Sequence, residues 1–592
     1  MAEASCASVV RSARAVVADV GERAASKSAG LLELSNRSER NAERDCRTLL
    51  TKKHGLALPI PQSRLDTGGE GKGEDVPVLR FRDWCNFLVN GNHTHLLVGL
   101  QKPDHKREAA ILQRFWDKYR YQAPHHPVFT LADNNLLNLG TCVPIAFHGD
   151  EGRGRKRGAF LVMSYHSLLG RGVSTTAKGK REYAKLLPNF IGHTLTTRFL
   201  FCALPKLMYT GNREYVFDSL LNLVATEAED LLHKGVTDNL AGRGQFTFAV
   251  LSISGDWPFL ADSGYMERSY RNVQKHRRQQ RVPLGICHLC RSGQLGFDFE
   301  ELNTDQPRWR PTMHSQDLHG NWDPSPLVRI PHTPGETGSL WSFDLFHCWH
   351  LGVGKYFLSS FIAILSQLQP EGSVDERFDS LSSLFLDYCK EHHKNPHIAK
   401  LSKEFVGWPS TTTYPSGGWH KGAVTTVLME WVEHRFKTEG HGWSEMYRLA
   451  GEAATAANDF LRLVYSFGAF MSRTESRNAG NLCLTFLRKY SLLARLAVSN
   501  HQCLWLLVPK HHALHHIALY MLEGSMKGPL LNPLCWSTQQ SEDFVGRPSR
   551  LSRRVTPKLL QVAPRVLSRH LQQSYEHWVK AGYIVRQKAS NG

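Results

Sequence analysis

Four groups of residues in this chain have types and spacing that do chemistry. Asp256 ends the apolar run "FTFAVLSISGD" (246–256), which predicts a strand with a carboxylate at its carboxyl end. That end of a strand is where α/β folds place ligand and catalytic groups; an acid just ahead of Pro258 also serves as an ordinary turn cap. Asp344, His347 and His350 recur at i, i+3 and i+6 in "LWSFDLFHCWHLGVGK" (340–355), on one helical face. Such a set holds a metal, orients an acid, or caps a helix over core histidines. Cys287 and Cys290 in "GICHLC" (285–290) have the spacing of a thiolate pair for zinc. A closed tetrahedral site needs two more ligands, and His314, His319, His332 and His347 are the candidates. Reduced packing cysteines are the next reading and a redox pair the last, since no small strand–helix unit surrounds the motif. Glu542 heads a segment in which Arg547, Arg550, Arg553 and Arg554 recur at roughly helical intervals, a stripe suited to phosphates. Arg277 and Arg278 in "KHRRQQR" (275–281) form a second basic patch, and "HHALHHIALYM" (511–521) carries four histidines that read as metal ligands or as packing.

Composition narrows the partners. The 592 residues carry 72 Lys and Arg against 54 Asp and Glu, a net charge of +18, so a polyanion is the natural partner and nucleic acid the commonest one. Hydrophobic residues at 41% supply enough material for packed cores. No uninterrupted apolar run nears the ~18 residues of a membrane span. The amino-terminal stretch contains acids and lacks a continuous apolar segment, which speaks against a secretory signal. With twelve scattered cysteines, of which one pair has ligand spacing, the expected compartment is reducing: nucleus or cytoplasm. Phosphate-loop, dinucleotide, Gly-x-Ser-x-Gly and His-Glu-x-x-His motifs are absent from the sequence.

The elements that must position these groups follow from periodicity. Residues 1–76 read as a disordered or helical extension ending in a Gly/Pro-rich linker. A basic amphipathic helix is expected within 102–127, a basic loop at "DEGRGRKRG" (150–158), then a strand at "AFLVMSYHSLLG" (159–170). A long helix over 214–235, stopped by Gly235, precedes the strand that ends on Asp256. After Leu351 helices dominate, over 353–368, 376–394, 420–438, 444–471 and 479–499. The order is that of a mixed α/β unit interrupted by a large helical segment.

Taken in order, "LLNLVATEAEDLLHKGV" (220–236) with "FTFAVLSISGDWPFLADSG", then "GICHLC", "FDLFHCWHLGVGK", and "PKHHALHHIALYM" with "SEDFVGRPSRLSRR" (541–554) resemble the transposases of CACTA (En/Spm-type) DNA elements, over about residues 190–560. The resemblance implies an RNase H-like mixed sheet interrupted by a mostly helical insertion. Residues 77–260 would be the first part of that core, 261–340 the Cys-x-x-Cys element, 341–500 the insertion, 501–560 the end of the core, and 561–592 a helix or tail. It further implies Mg²⁺ held by Asp256, Asp344 and Glu542, zinc on the cysteines, and DNA as the partner, with self-association of the chain as a further option and no membrane. The family's early acid should fall in "GAFLVMSYHSLLGRG" (158–172), where Ser164, Tyr165 and His166 stand and no carboxylate does. The expectation is therefore a transposase-derived DNA-binding protein whose Mg²⁺-dependent strand cleavage is retained in part or lost. The alternative is a non-catalytic, zinc-containing nucleic-acid-binding or scaffold protein.

Overall fold

The run 142–150 is buried at every residue and becomes the middle strand of a curled five-stranded sheet. The computed structural model of the chain describes residues 4–68, 75–173, 186–273, 283–314, 323–369, 372–555 and 558–585. The sheet comprises β1 (Cys142–Arg153), β2 (Ala159–Ser167), β3 (Phe199–Pro205), β4 (Val236–Thr237) and β5 (Gln245–Gly255), in the order β3-β2-β1-β5-β4. β1 runs antiparallel to β2 and parallel to β5, so the sheet is mixed. A central strand with a parallel neighbour is covered on both faces, which is why β1 and β5 read as near-continuous apolar runs. The basic loop expected over 150–158 is shorter than that: β1 continues to Arg153, and the reversal into β2 occupies the residues between Gly154 and Gly158.

Helix α1 (Glu214–His233) links β3 to the far side of the sheet and buries Leu220, Leu221, Val224, Ala228 and Leu231, a stripe at helical spacing. Helix α2 (Trp257–Ser263) starts directly after β5. Phe259 of α2 covers one face of β1, where a Cβ on Gly149 would sit 2.1 Å from its ring. The opposite face of β1 meets α4 (Gln539–Ser552). There a Cβ on Gly152 would lie 2.0 Å from Ser549 Oγ and 2.9 Å from Val545, so only glycine admits this approach. Helix α5 (Leu559–Lys580) packs beside α4, with Trp578 donating its indole N–H to the Leu195 carbonyl at 2.8 Å.

Between α2 and α4 the chain builds a second, mostly helical core. Helices Gly354–Leu365, Val374–Glu391, Gly422–Glu439, Glu445–Ser466, Arg473–Ser499 and α3 (Pro509–Lys527) enclose Trp349, Phe357, Phe361, Phe385, Trp431, Phe486 and Trp505. Two of these helices begin with capping boxes, Ser373 with Glu376 and Ser472 with Glu475. The run Phe346–Leu368 is long and apolar enough to cross a membrane by composition, and 72% of its apolar window is buried inside this core. Residues 4–56, expected as an extension, are helical with a small core of their own around Val10, Ala42 and Leu49. They dock on α5, where Arg569 donates to the Ala4 carbonyl at 2.9 Å and to Glu43 at 2.5 Å.

Candidate functional site

Alternate residues of a strand share a face, so His148 and Asp150 of β1 both point toward α4. Glu542 lies in the first turn of that helix, and one donor atom from each of His148, Asp150 and Glu542 lies within 4.8 Å of the others. Gly255, the last residue of β5, pairs with Gly149 of β1, so Asp256 leaves the sheet beside Asp150. Asp150 and Glu542 therefore meet with His148, and Asp256 leaves the adjacent parallel strand close enough for its charge to act on Glu542. Asp256 takes the turn-cap role, one of its oxygens capping α2 by accepting the Phe259 N–H at 2.8 Å.

Crowding shows in the protonation of these acids. Burial, then the Asp150 charge, pushes Asp256 up to about 6. Burial, then the charge of Asp150 and a hydrogen bond to it, raises Glu542 up to about 11. Glu542 Oε1 is buried without a hydrogen-bond partner, although His347 Nε2 stands 3.4 Å away, off the line of a good bond. Like charges gathered with unspent oxygens fit a hard divalent cation, which prefers carboxylate ligands. Glu542 retains 30% side-chain exposure, while His148 and Asp150 are buried.

Asp344 lies behind this cluster rather than in it. The segment before it runs along β5, where Ser342 N–H donates to the Ile253 carbonyl at 3.2 Å and Ser252 bonds Ser342 at 3.0 Å. Its carboxylate is fully buried and takes five donors: the N–H groups of Phe346 (2.8 Å), His347 (3.1 Å) and Thr538 (3.1 Å), His347 Nδ1 (2.6 Å) and the Thr538 hydroxyl (2.5 Å). Burial alone would raise its pKa, but the His347 hydrogen bond and charge, then Thr538, bring it down to about 2. Burial disfavours a charged His347, yet the bond to Asp344 outweighs it and raises that imidazole. Asp344 is thus saturated, and it orients His347 toward Glu542. Lys510, at the start of α3, donates to the Leu351 carbonyl at 3.1 Å in the same neighbourhood.

A second cluster brings Cys287 and Cys290 together with His512 and His516, i and i+4 on α3. Cys287 Sγ is 3.4 Å from His516 Nε2, Cys290 Sγ is 3.4 Å from His512 Nε2 and 3.5 Å from His516 Nε2, and the two imidazole nitrogens are 3.0 Å apart. Tetrahedral zinc, with bonds of about 2.3 Å to sulfur and about 2.1 Å to nitrogen, sets edges near these lengths. Leu289 N–H and Ser292 N–H point at the two sulfurs, at 3.3 and 3.5 Å. Buried Arg268 ties the turn by donating to the carbonyls of Cys287, His288 and Cys290. Trp309 packs against both histidines, 4.4 and 4.7 Å between ring centres. This set can hold a metal such as zinc.

No family model and no curated protein matches this chain.

The two cysteines are joined by His512 and His516, and not by His314 or His347. His314 donates its backbone N–H to the Leu289 carbonyl, with its ring 3.5 Å from Ser339 Oγ. His332 bonds Ile330 and Thr337, and His347 belongs with Glu542. Arg547 bonds Thr194 (2.8 Å) and Asp543 (3.4 Å), Arg553 bonds the Arg153 carbonyl, and Arg550 and Arg554 stand exposed on α4 and just past it. Arg277, Arg278 and His319 lie outside the described residues.

Asp150, the carboxylate of β1 that stands with Glu542, is absent from the expected set, which places an early acid in β2, where Ser164, Tyr165 and His166 stand. A signal was there to find: "CVPIAFHGD" is an apolar run ending on Asp, as 246–256 is, and the adjoining Gly/Arg stretch masked it. His512 and His516 carried a signal too, the i, i+4 spacing of a helical ligand pair.

Proposed function

We propose that this chain is a transposase-derived DNA-binding protein in which an RNase H-like core uses Asp150, Asp256 and Glu542 to hold Mg²⁺ or a related divalent cation for cleavage and transfer of DNA strands. The observation that carries this reading is the meeting of Asp150 on β1 with Glu542 in the first turn of the facing helix, with Asp256 leaving the adjacent parallel strand beside Asp150. The resemblance to CACTA transposases called for an early acid on a core strand, and Asp150 fills that place.

Cations held there supply activation of a water nucleophile and neutralisation of charge on the leaving 3′-oxygen. The chain's own groups do the rest. Asp344 fixes the ring of His347, whose Nε2 stands 3.4 Å from Glu542. Exposed Arg550 and Arg554 extend from the same helix and its end, in reach of a phosphate backbone, while Arg547 and Arg553 brace α4 against its neighbours. The Cys287, Cys290, His512 and His516 set binds zinc and pins the inserted element to α3.

The full-length protein with Mg²⁺ or Mn²⁺ is expected to nick supercoiled plasmid DNA. Asp150→Asn and Glu542→Gln should each slow nicking by about a hundredfold or more, because several kcal/mol of cation-derived stabilisation depends on either ligand. Nicking that survives both substitutions refutes the site. DNA binding without any cation-dependent cleavage selects the non-catalytic binding or scaffold protein instead.

A further inference from the structure

We infer that His148 is itself a ligand of the carboxylate centre, giving that centre one imidazole nitrogen beside the oxygens of Asp150 and Glu542 and a preference for Mn²⁺ over Mg²⁺. The inference rests on the reading of that cluster as a cation site. His148 stands two residues before Asp150 on β1, on the face that meets α4, and its ring shares the 4.8 Å grouping with Asp150 and Glu542. It has no solvent exposure, and neither of its ring nitrogens has a hydrogen-bond partner. A buried polar atom left unpaired costs about 1–3 kcal/mol, so an imidazole with both nitrogens unspent needs a reason. The groups beside it across the sheet do not provide one. Ser254, its neighbour in register on β5, gives its hydroxyl to the Phe147 carbonyl, and the hydroxyl of Ser164 on β2 is without a partner too. What the ring does face is a pair of carboxylates with an unspent oxygen.

The donor set selects the ion. Mg²⁺ takes oxygen ligands in near-ideal octahedral geometry, whereas imidazole suits the later divalent metals and carboxylates suit Mn²⁺. One nitrogen beside the carboxylate oxygens therefore favours Mn²⁺ over Mg²⁺ more than an all-carboxylate site does.

The test uses full-length protein with the Cys₂His₂ set preloaded with zinc, titrated with MnCl₂ and read by electron paramagnetic resonance. Bound Mn²⁺ that is lost in Asp150→Asn establishes the carboxylate site. Spin-echo modulation from a directly bonded ¹⁴N, replaced by a ¹⁵N pattern when the protein is grown on ¹⁵N-histidine, establishes an imidazole ligand without any substitution in the core. His148→Asn should abolish the nitrogen signal and weaken Mn²⁺ by at least about tenfold, the lower end of what loss of even an outer partner costs. Mg²⁺, read by competition, should lose much less. Mn²⁺ bound with no nitrogen coupling overturns the His148 assignment and leaves the carboxylate site standing. Nitrogen coupling that survives His148→Asn but vanishes in His347→Gln moves the ligand to His347 and overturns it equally. Failure to bind Mn²⁺ at all removes both readings.

Discussion

At the scale of single residues, Asp344 and Glu542 show how two acids of one neighbourhood take opposite roles. Glu542 has an oxygen without a hydrogen-bond partner, and burial with the Asp150 charge keeps its proton on. Asp344 has five donors and stays charged, so its work is to hold His347 and the start of α4. Asp344→Asn keeps the shape but replaces an acceptor oxygen with an N–H₂ facing donors. Breaking one charge-assisted bond costs about 1.5–3 kcal/mol, and stranded donors add to it. The expected loss is about 3 kcal/mol or more by urea unfolding, together with weaker Mn²⁺ binding. Asp543→Asn, on the exposed side of the same turn, should move stability by less than about 0.5 kcal/mol. Equal stability of the two variants would show that Asp344 has no such holding role.

At the scale of elements, the Cys-x-x-Cys turn is fastened to α3 by groups that touch across the fold. Cys287 and His516 are distant in the chain, yet their sulfur and nitrogen stand 3.4 Å apart. The turn has little regular structure to hold it, and Arg268 and Trp309 pack it beside a ligand set that can hold a metal. Wild-type protein should carry about one zinc per chain by mass spectrometry, as a closed four-ligand site does. Cys287→Ser and His516→Ala should each bring that toward zero and lower the melting temperature, while His314→Ala keeps the zinc. Retention of zinc in His516→Ala would reassign the ligand.

At the scale of the whole molecule, buried histidines set the response to acid. Burial lowers His126 and His350 to about 4, and His511 and His570 to about 3. The folded state keeps them neutral while the unfolded chain takes up protons near 6.5. Their stabilising effect is therefore complete above that pH and is lost as pH falls toward 4. Glu542 and Asp256 act in the opposite sense, because the fold already holds their protons. His93, His193 and His515 are depressed in the same way, so the histidines outnumber these two carboxylates and unfolding takes up net protons, each worth about 1.4 kcal/mol per pH unit. Against a total stability of about 5–15 kcal/mol this is decisive. The urea midpoint should drop steeply between pH 6.5 and 4.5, and a midpoint flat across that range contradicts the account.

Much of this could be read from the chain alone, where a feature is local. The strand that ends on Asp256, the helix stopped by Gly235 and the insertion helices each announce themselves through periodicity and breakers within a window of one or two turns. The thiolate pair was legible for the same reason. What the tertiary structure alone decided is which distant groups share a point in space. Asp150 joins Asp256 and Glu542 because β1 and β5 lie parallel in register, and Gly152 lets α4 lie close enough to bring Glu542 down. His512 replaces His314 beside the cysteines because α3 packs across their turn. Those outcomes depend on sheet pairing and helix packing, which join residues hundreds of positions apart; local spacing marks the separate groups but not their meeting.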